Sequence, residues 1–117
     1  MDAYDRYRAL SEALEAEFPG LELHVYWSDI ANVVKLMSIK VADKRQGTGS
    51  EVMRRICAVA DENGHRIALT PDTSFGSSKA GLIRFYKRFG FVNNTGRKRD
   101  LTISETMIRE PQEGNWP

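Results

Sequence analysis

The stretch of sequence that decides the fold is Lys44-Arg45-Gln46-Gly47-Thr48-Gly49-Ser50, a basic loop that contains two glycines. A loop of this kind, placed between a strand and a helix, directs backbone N–H groups and a helix N-terminus toward one point, which suits a pyrophosphate. A Cβ at either glycine would block close approach of phosphate oxygens or forbid the required backbone geometry. The loop therefore predicts a nucleotide or coenzyme site, although a ligand-free strand-to-helix turn produces such a motif about as often.

The residues on either side of the loop predict a strand, a helix and a second strand. Residues 33–41 are apolar enough for a central strand, and residues 50–63 repeat apolar side chains on one broad helical face. Gly64 follows as a left-handed C-terminal residue, and residues 66–70 form a short apolar run. Because connections between parallel strands are right-handed crossovers, the second strand is predicted to lie parallel to the first. The result is a β-loop-α-β unit.

The chain before this unit predicts one helix and one strand. Residues 2–18 carry apolar side chains at three- and four-residue spacing, and Pro19-Gly20 ends that pattern. Residues 21–26 alternate between apolar and polar side chains, and the turn-forming residues 28–32 connect them to the central strand. We therefore expect an antiparallel hairpin whose second strand is residues 33–41.

The chain after the unit predicts a helix, a basic turn and a final strand. A polar run, residues 72–78, precedes a helix whose apolar stripe extends to residue 89, and Gly90 ends it. Residues 93–100 form a turn that carries three consecutive basic side chains. The last strand is indicated by Leu101, Ile103 and Met107, and residues 110–117 are predicted to be a flexible tail.

Length and composition favour one domain of ordinary type, residues 1–117. The formal net charge of +1 gives no reason to expect a nucleic-acid or membrane-surface protein. Cys57 is the sole cysteine and cannot form an internal disulfide. Its apolar helical neighbours indicate a buried hydrophobe rather than a nucleophile. No apolar run resembles a signal peptide or a membrane span, so a reducing cytoplasm is the expected compartment.

Two motifs, in this order, resemble those of the GNAT superfamily of acetyl-CoA-dependent N-acetyltransferases. The first is Val41-Ala42-Asp43-Lys44-Arg45-Gln46-Gly47-Thr48-Gly49-Ser50, and the second is Phe85-Tyr86-Lys87-Arg88-Phe89-Gly90-Phe91. The family has an Arg/Gln-x-x-Gly-x-Gly/Ala loop that binds the coenzyme pyrophosphate and an aromatic-Tyr-x-x-x-Gly-Phe ending on a later helix. The resemblance covers roughly residues 21–109 and implies an α/β fold with a central mixed sheet flanked by helices. In such a fold the parallel strands splay into a V-shaped coenzyme cleft, here expected beyond Val41 and Ile67.

The resemblance implies acetyl-CoA as the acetyl donor and an unidentified amine as the acceptor. It implies that amides of the loop bind the pyrophosphate, and that the strand before the loop pairs with the pantetheine arm and supplies an oxyanion N–H. The basic residues of the later helix, including Lys79, and of the turn at residues 97–99 are predicted to form a solvated face. The alternative is that some of them contact the 3′-phosphate of the coenzyme or an anionic acceptor. The expected coenzyme-binding residues are Ile39, Lys40, Val41, Lys44, Arg45, Gln46, Gly47, Thr48, Gly49, Ser50 and Lys79.

Two departures from the family pattern affect what the resemblance implies. Lys44 stands where the family has Arg or Gln, a change that keeps a charge but loses a bidentate grip on phosphate. The chain also has room for only one helix and one strand before the central strand, where the family has an additional strand and helix. Part of the acceptor wall is therefore absent or comes from a second subunit, which leads us to expect a homodimer.

Acetyl transfer needs an acid for the leaving thiolate and a base for the amine. Tyr86 occupies the family's tyrosine position and is the expected general acid, with a core aromatic as the alternative. Asp72 is the first candidate for the base, although an ordinary turn acid is the more common role of such a residue. His24, or a water held by Ser38 or Thr70, is the other candidate.

Other classes of site do not fit the residues. A P-loop requires Gly-Lys-Ser/Thr, and a dinucleotide fingerprint requires a third glycine near position 52. His24, His65 and Cys57 fall in separate predicted elements, so no metal site is expected. The alternative function is a non-catalytic interaction protein that uses a basic helix, residues 79–88, and a basic turn, residues 97–99, on nucleic acid or on another protein.

Overall fold

The computed structural model describes residues 1–43 and 46–113. The predicted order of helices and strands is observed as far as the helix before Gly90, with small shifts of their ends, whereas the short strand Val92–Asn93 was not predicted. The helices are α1 (Ala3–Glu17), α2 (Thr48–Glu62) and α3 (Lys79–Lys87), and a short 3₁₀ turn spans Thr73–Phe75. The strands are β1 (Glu22–Ser28), β2 (Val33–Lys40), β3 (Ile67–Leu69), β4 (Val92–Asn93) and β5 (Met107–Arg109).

The strands form one mixed sheet in the order β1-β2-β3-β5-β4. β2 and β3 run parallel, as expected from the helical crossover between them, and the other neighbours are antiparallel. The β1–β2 hairpin closes through a turn in which the Ala31 N–H donates to Ser28 Oγ and Asn32 adopts a positive φ of 54°. Asparagine tolerates that conformation better than most residues. The predicted α/β fold with a central mixed sheet is confirmed.

The predicted final strand was wrong in its position. Leu101 is 80% exposed and lies in a turn, and β5 begins only at Met107. The cause is the side chain of Asn94, whose Nδ2 donates to the carbonyl oxygens of Asp100, Ile103 and Glu105. These hydrogen bonds fold residues 94–105 into a compact loop, because an asparagine side chain competes with strand pairing for backbone groups.

The two faces of the sheet are covered differently. On one, here called the helix face, Val25, Leu36 and Leu69 pack in a single apolar cluster with residues of α1, α2 and α3. On the other, called the outer face, Val33, Ala68 and Ile108 pack on Ile103 of the loop before β5. Cross-strand partners share a face, so Tyr26 lies on the outer face beside its partner Lys35.

α1 also covers part of the edge of the sheet. The backbone N–H of Leu23 donates to Glu15 Oε2 at 3.0 Å, and Ser11 Oγ donates to the Leu23 carbonyl oxygen at 3.2 Å. Side chains of α1 thus satisfy the outward-facing backbone groups of β1 at this point. This edge is better protected than the sequence suggested, because capped backbone groups do not template pairing with another chain.

A buried ion pair connects α2 to the end of the sheet. Arg109 on β5 is fully buried and donates from both terminal nitrogens to Asp61, at 2.7 and 3.0 Å. Its Nε donates to the Phe89 carbonyl oxygen, and the backbone N–H of Gln112 donates to Asp61 Oδ1 at 2.8 Å. Residue 112, within the predicted tail, is therefore attached to α2.

Candidate functional site

A gap opens in the sheet where β2 and β3 stop pairing. The parallel register runs from Val34 opposite Ile67 to Leu36 opposite Leu69, and β2 then continues to Lys40 without β3. At the same level β2 contains a bulge: Val25 pairs with Leu36 and His24 with Ser38, so Met37 is the extra residue. A bulge bends its strand and increases the local twist. β2 and β3 therefore part beyond Leu36 and Leu69, not beyond Val41 and Ile67 as predicted.

A cavity of about 430 Å³ occupies this gap. Its walls are the second half of β2 with residue 41, the first turn of α2, the end of β3 with the segment after it, and α3. The lining is mainly apolar, and its ionisable groups among the described residues are Lys40, Asp72 and Tyr86. Hydroxyl groups of Ser38, Ser50 and Thr70 line it as well. This combination of apolar wall and few polar groups is typical of a ligand site.

Most of the predicted coenzyme-binding residues meet at this cavity. It is lined by Ile39, Lys40, Val41, Gly47, Gly49 and Ser50, whereas Gln46, Thr48 and Lys79 do not line it. Lys44 and Arg45 lie outside the described residues. Gly47, Gly49 and Ser50 thus line the same space as the end of β2.

The two glycines of the loop have different structural explanations. Gly47 is the N-cap of α2 with a positive φ of 73°, and no atom lies within 4 Å of a Cβ built there, so backbone conformation explains this glycine. Gly49 has ordinary helical geometry, and a Cβ there would lie 3.9 Å from Cζ of Phe85. Its missing side chain keeps the cavity open between α2 and α3. The first N–H groups of an α-helix have no partners within the helix, and Gly47, Gly49 and Ser50 at the start of α2 line the cavity.

Tyr86 is buried except at its hydroxyl. The residue is 5% exposed and packs edge-on against Phe85 and Phe91, with ring centroids 5.2 and 5.7 Å away. Within the part of the chain that the structure describes, no buried side-chain oxygen lacks a hydrogen-bond partner. Since no residue described there bonds to the Tyr86 hydroxyl, that atom is the accessible point of the side chain. Burial, and then the charge of Asp72, raise its pKa to about 12, so the phenol stays protonated in neutral solution.

Asp72 lines the cavity as an exposed carboxylate at the start of the 3₁₀ turn. Its Oδ1 accepts hydrogen bonds from the Ser74 hydroxyl at 2.6 Å and the Ser74 N–H at 2.9 Å. These bonds hold the pKa of Asp72 below its ordinary value, which keeps it ionised and makes it a weaker base.

The other candidate bases divide between two sites. Ser38 and Thr70 line the main cavity. His24 instead lines a separate pocket of about 270 Å³ with Tyr26 and residues of α1. The structure therefore does not bring His24 together with Tyr86.

The basic residues of α3 are solvent-exposed. Lys79, Arg84, Lys87 and Arg88 are all exposed and none lines the cavity, and the basic turn of residues 97–99 is exposed as well. Arg88 lies over the Phe85 ring, 5.3 Å from its centroid. These positions agree with a solvated face.

At the start of α3, the sequence prediction named Lys79 and missed the neighbouring residues that line the cavity. Ser77, Ser78, Gly81 and Leu82 line the cavity opposite α2. Ser78 is the N-cap of α3, and its hydroxyl accepts a hydrogen bond from the Gly81 N–H at 3.0 Å. A serine pair before an apolar helical run was the available signal, since serine is a favoured N-cap. The N-termini of two helices, α2 and α3, therefore border the cavity.

Two solved structures resemble this arrangement. The anti-CRISPR protein AcrVA5 matches with a TM-score of 0.56 and 25% identity, over 76% of this chain and 88% of that one. Ard1 from Thermoplasma volcanium matches with a TM-score of 0.52 and 22% identity, over 91% of this chain and 80% of that one. The chain has a GNAT-like fold. Sequence comparison finds no matching protein family and no matching curated protein.

Along residues 1–43 and 46–113 no helix is long and apolar enough to cross a membrane. The same residues include no group of three or more metal-ligating side chains.

Proposed function

We propose that the protein is an N-acetyltransferase that transfers the acetyl group of acetyl-CoA directly to a primary amine in a ternary complex. The observation that carries this proposal is the cavity between the diverging ends of β2 and β3, bordered by the glycine-capped start of α2. The resemblance to AcrVA5 and Ard1 supports an acetyltransferase function at the level of the fold. The acceptor and the compartment, which we take to be the cytoplasm, are part of the proposal.

The coenzyme would lie along the end of β2. N–H groups at the start of α2 are suited to its pyrophosphate, because they carry the positive end of the helix dipole. Residues 39–41 lie beyond the last pairing with β3, where the pantetheine arm would lie along β2 as an added strand does. The thioester then reaches the gap beside Tyr86.

The proposed reaction moves two protons: the departing sulfur gains one and the attacking amine loses one. The amine nitrogen attacks the thioester carbon, the C–N bond forms and the C–S bond breaks. Tyr86 donates its hydroxyl proton, or a hydrogen bond, to the departing sulfur, and its high pKa favours the hydrogen bond over complete transfer. Asp72, or water beside it, takes the proton that the amine loses. Asp72 and Tyr86 line the same cavity.

A non-catalytic function on the same scaffold is the second candidate. It is favoured by the hydrogen bonds from Ser74 that weaken Asp72 as a base and by the exposed basic face of α3. A screen of primary amines for release of the CoA thiol separates the two, since only an acetyltransferase releases thiol faster than the spontaneous rate.

The first prediction concerns the start of α2. Saturating acetyl-CoA, at 100 times its dissociation constant, is expected to stabilise the protein by about 2.7 kcal/mol. Gly49→Glu is expected to abolish that stabilisation, because a carboxylate at this cavity-lining position repels the pyrophosphate. Thermal unfolding with and without acetyl-CoA measures both effects, and a calorimetric titration gives the affinity.

Gly49→Ala is the matched steric control. Its Cβ makes an ordinary contact with Phe85, so the variant is expected to fold and to retain part of the affinity. A wild-type protein whose unfolding temperature does not change in acetyl-CoA contradicts the proposed function. Equal loss of acetyl-CoA binding in Gly49→Ala and Gly49→Glu would show that the size of the added side chain, and not its charge, prevents binding.

A homodimer is the second prediction, in which the partner subunit would supply part of the acceptor-binding surface. The uncovered portion of β1 and the outer face beside Tyr26 are the surfaces available for it. Sedimentation equilibrium is expected to give twice the chain mass. A monomer at high micromolar concentration rules the dimer out, and the capping of Leu23 by α1 would then account for the protected edge.

A further inference from the structure

Among the residues that the structure describes, Asp72 supplies the only carboxylate that lines the main cavity. The other ionisable groups there are Tyr86, which is neutral, and Lys40, whose Nζ lies 3.5 Å from Glu22 Oε2. Asp72 follows the end of β3 by three residues, so its charge lies on the side where β2 and β3 part. A fixed negative charge in the wall of a cavity favours a positively charged ligand.

One oxygen of the Asp72 carboxylate is used to hold the residue in place. Oδ1 accepts the hydrogen bonds from the hydroxyl and the N–H of Ser74, at 2.6 and 2.9 Å. Two residues before Asp72, the Thr70 hydroxyl oxygen accepts a hydrogen bond from the N–H of Thr106 at 3.2 Å. The segment is therefore attached on both sides of Asp72. Within residues 1–43 and 46–113, no group donates a hydrogen bond to the second oxygen, Oδ2.

A second turn of the same form shows what this oxygen can bind. Oδ1 of Asp100 accepts hydrogen bonds from the N–H and the hydroxyl of Thr102, just as Oδ1 of Asp72 does from Ser74. Oδ2 of Asp100 accepts a hydrogen bond from the Arg66 guanidinium at 2.9 Å. In this kind of turn the second oxygen is thus free to bind a cation. Asp72 presents the equivalent oxygen at the cavity, without an arginine.

The rest of the cavity wall suits a carbon chain. Leu36, Leu69 and Leu82 line it, as does Met37, the extra residue of the bulge in β2. Met37 is 47% exposed, so much of its thioether side chain is open to contact. Methionine adapts its shape to apolar ligands because its side chain is unbranched and polarizable. The wall therefore combines one available carboxylate oxygen with apolar surface.

We infer that Asp72 binds the acceptor as a positively charged alkylamine, with the ammonium group on Oδ2 and the carbon chain against the apolar wall. The inference rests on the proposed function and adds the substrate class. Asp72 then holds the amine, and water takes its protons. The bound ammonium gives one proton to water, its neutral nitrogen attacks the thioester carbon, the C–N bond forms and the C–S bond breaks. The nitrogen loses its second proton to water, and the thiolate takes a proton from Tyr86, which solvent reprotonates.

The test is a titration of the free protein with n-butylammonium chloride, followed by NMR of backbone amides. The wild-type amides of Asp72 and Ser74 are expected to shift saturably. Two control ligands are expected to bind more weakly: n-butanol, which lacks the charge, and methylammonium, which lacks the apolar chain. These comparisons use the wild type alone, so they test the inference even if a variant does not fold.

Two matched variants test the carboxylate itself. Asp72→Asn keeps an acceptor for the Ser74 hydrogen bonds and removes the charge. It is expected to raise the dissociation constant of n-butylammonium roughly 5- to 30-fold, between the effects of losing an exposed ion pair and a hydrogen bond to a charged group. Asp100→Asn removes the same charge from the same kind of turn, at a residue that does not line the cavity. Its dissociation constant is expected to equal that of the wild type.

The outcomes separate an anchor from a base and from an ordinary turn residue. No saturable shift in the wild type, equal binding of n-butanol or methylammonium, or equal weakening in Asp72→Asn and Asp100→Asn overturns the inference. With an amine that is acetylated, Asp72→Asn is expected to raise KM more than it lowers kcat. A lower kcat with unchanged amine binding would make Asp72 the base and overturn the anchor.

The titration also separates this inference from the proposed function, because it needs no coenzyme. Its failure while acetyl-CoA still stabilises the protein removes only the anchor. An absence of stabilisation by acetyl-CoA with amine binding intact removes the proposed function instead.

Discussion

Tyr86→Phe is expected to lower turnover by roughly 10²- to 10⁴-fold, the usual contribution of a positioned acid or base. The substitution keeps the ring that packs between Phe85 and Phe91 and removes only the accessible hydroxyl. Acetyl-CoA affinity is therefore expected to stay within a few-fold of the wild type. The rate of CoA thiol release with a saturating amine measures the effect.

The effect of Tyr86→Phe on the melting temperature distinguishes a catalytic tyrosine from one that only packs in the core. The Tyr86 hydroxyl has no hydrogen-bond partner among the described residues, so its removal is expected to leave the melting temperature nearly unchanged. Tyr4→Phe removes a hydroxyl from a residue that is 55% exposed on α1, and it is expected to change neither turnover nor stability. Full activity in Tyr86→Phe would remove this tyrosine from the mechanism and leave protonation of the thiolate to solvent.

Arg109→Met is expected to destabilise the fold by about 3–5 kcal/mol, the cost of removing one partner from a buried ion pair. Asp61 loses the cation that donates two hydrogen bonds to it, while its side chain remains 6% exposed. The Phe89 carbonyl oxygen loses a donor as well. Urea unfolding of the variant and the wild type measures the change in the free energy of unfolding.

Two further variants test the cause of that loss. Asp61→Leu combined with Arg109→Met removes both charges and is expected to recover much of the stability, because an apolar pair avoids the desolvation of ions. Arg8→Met breaks an exposed ion pair with Asp5 and is expected to cost less than about 1 kcal/mol. A loss in Arg109→Met as small as that in Arg8→Met would contradict a structural role for the buried pair.

The hairpin and the β-loop-α-β unit can be predicted from the local pattern of apolar and polar side chains. The apolar face of residues 50–63 and the alternation of residues 21–26 place α2 and β1 within a few residues of their observed bounds. Side-chain periodicity suffices here because each element buries one continuous face. The prediction of the final strand was wrong because its position does not depend on side-chain periodicity. Asn94 holds the backbone of residues 100–105 through hydrogen bonds that no apolar pattern encodes.

By itself, the sequence determined the order of the elements from α1 to α3, the parallel β2–β3 pair and the glycine-capped start of α2, since these depend on short-range periodicity and on the φ angle of Gly47. Tertiary structure alone decided where the sheet opens, because the pairing of β2 with β3 ends at Leu36 and Leu69, beside the bulge at Met37. It also decided which distant charges meet. Asp61 and Arg109, 48 residues apart, and Lys35 and Glu105 come together only when the completed sheet brings β5 and the loop before it beside α2 and β2.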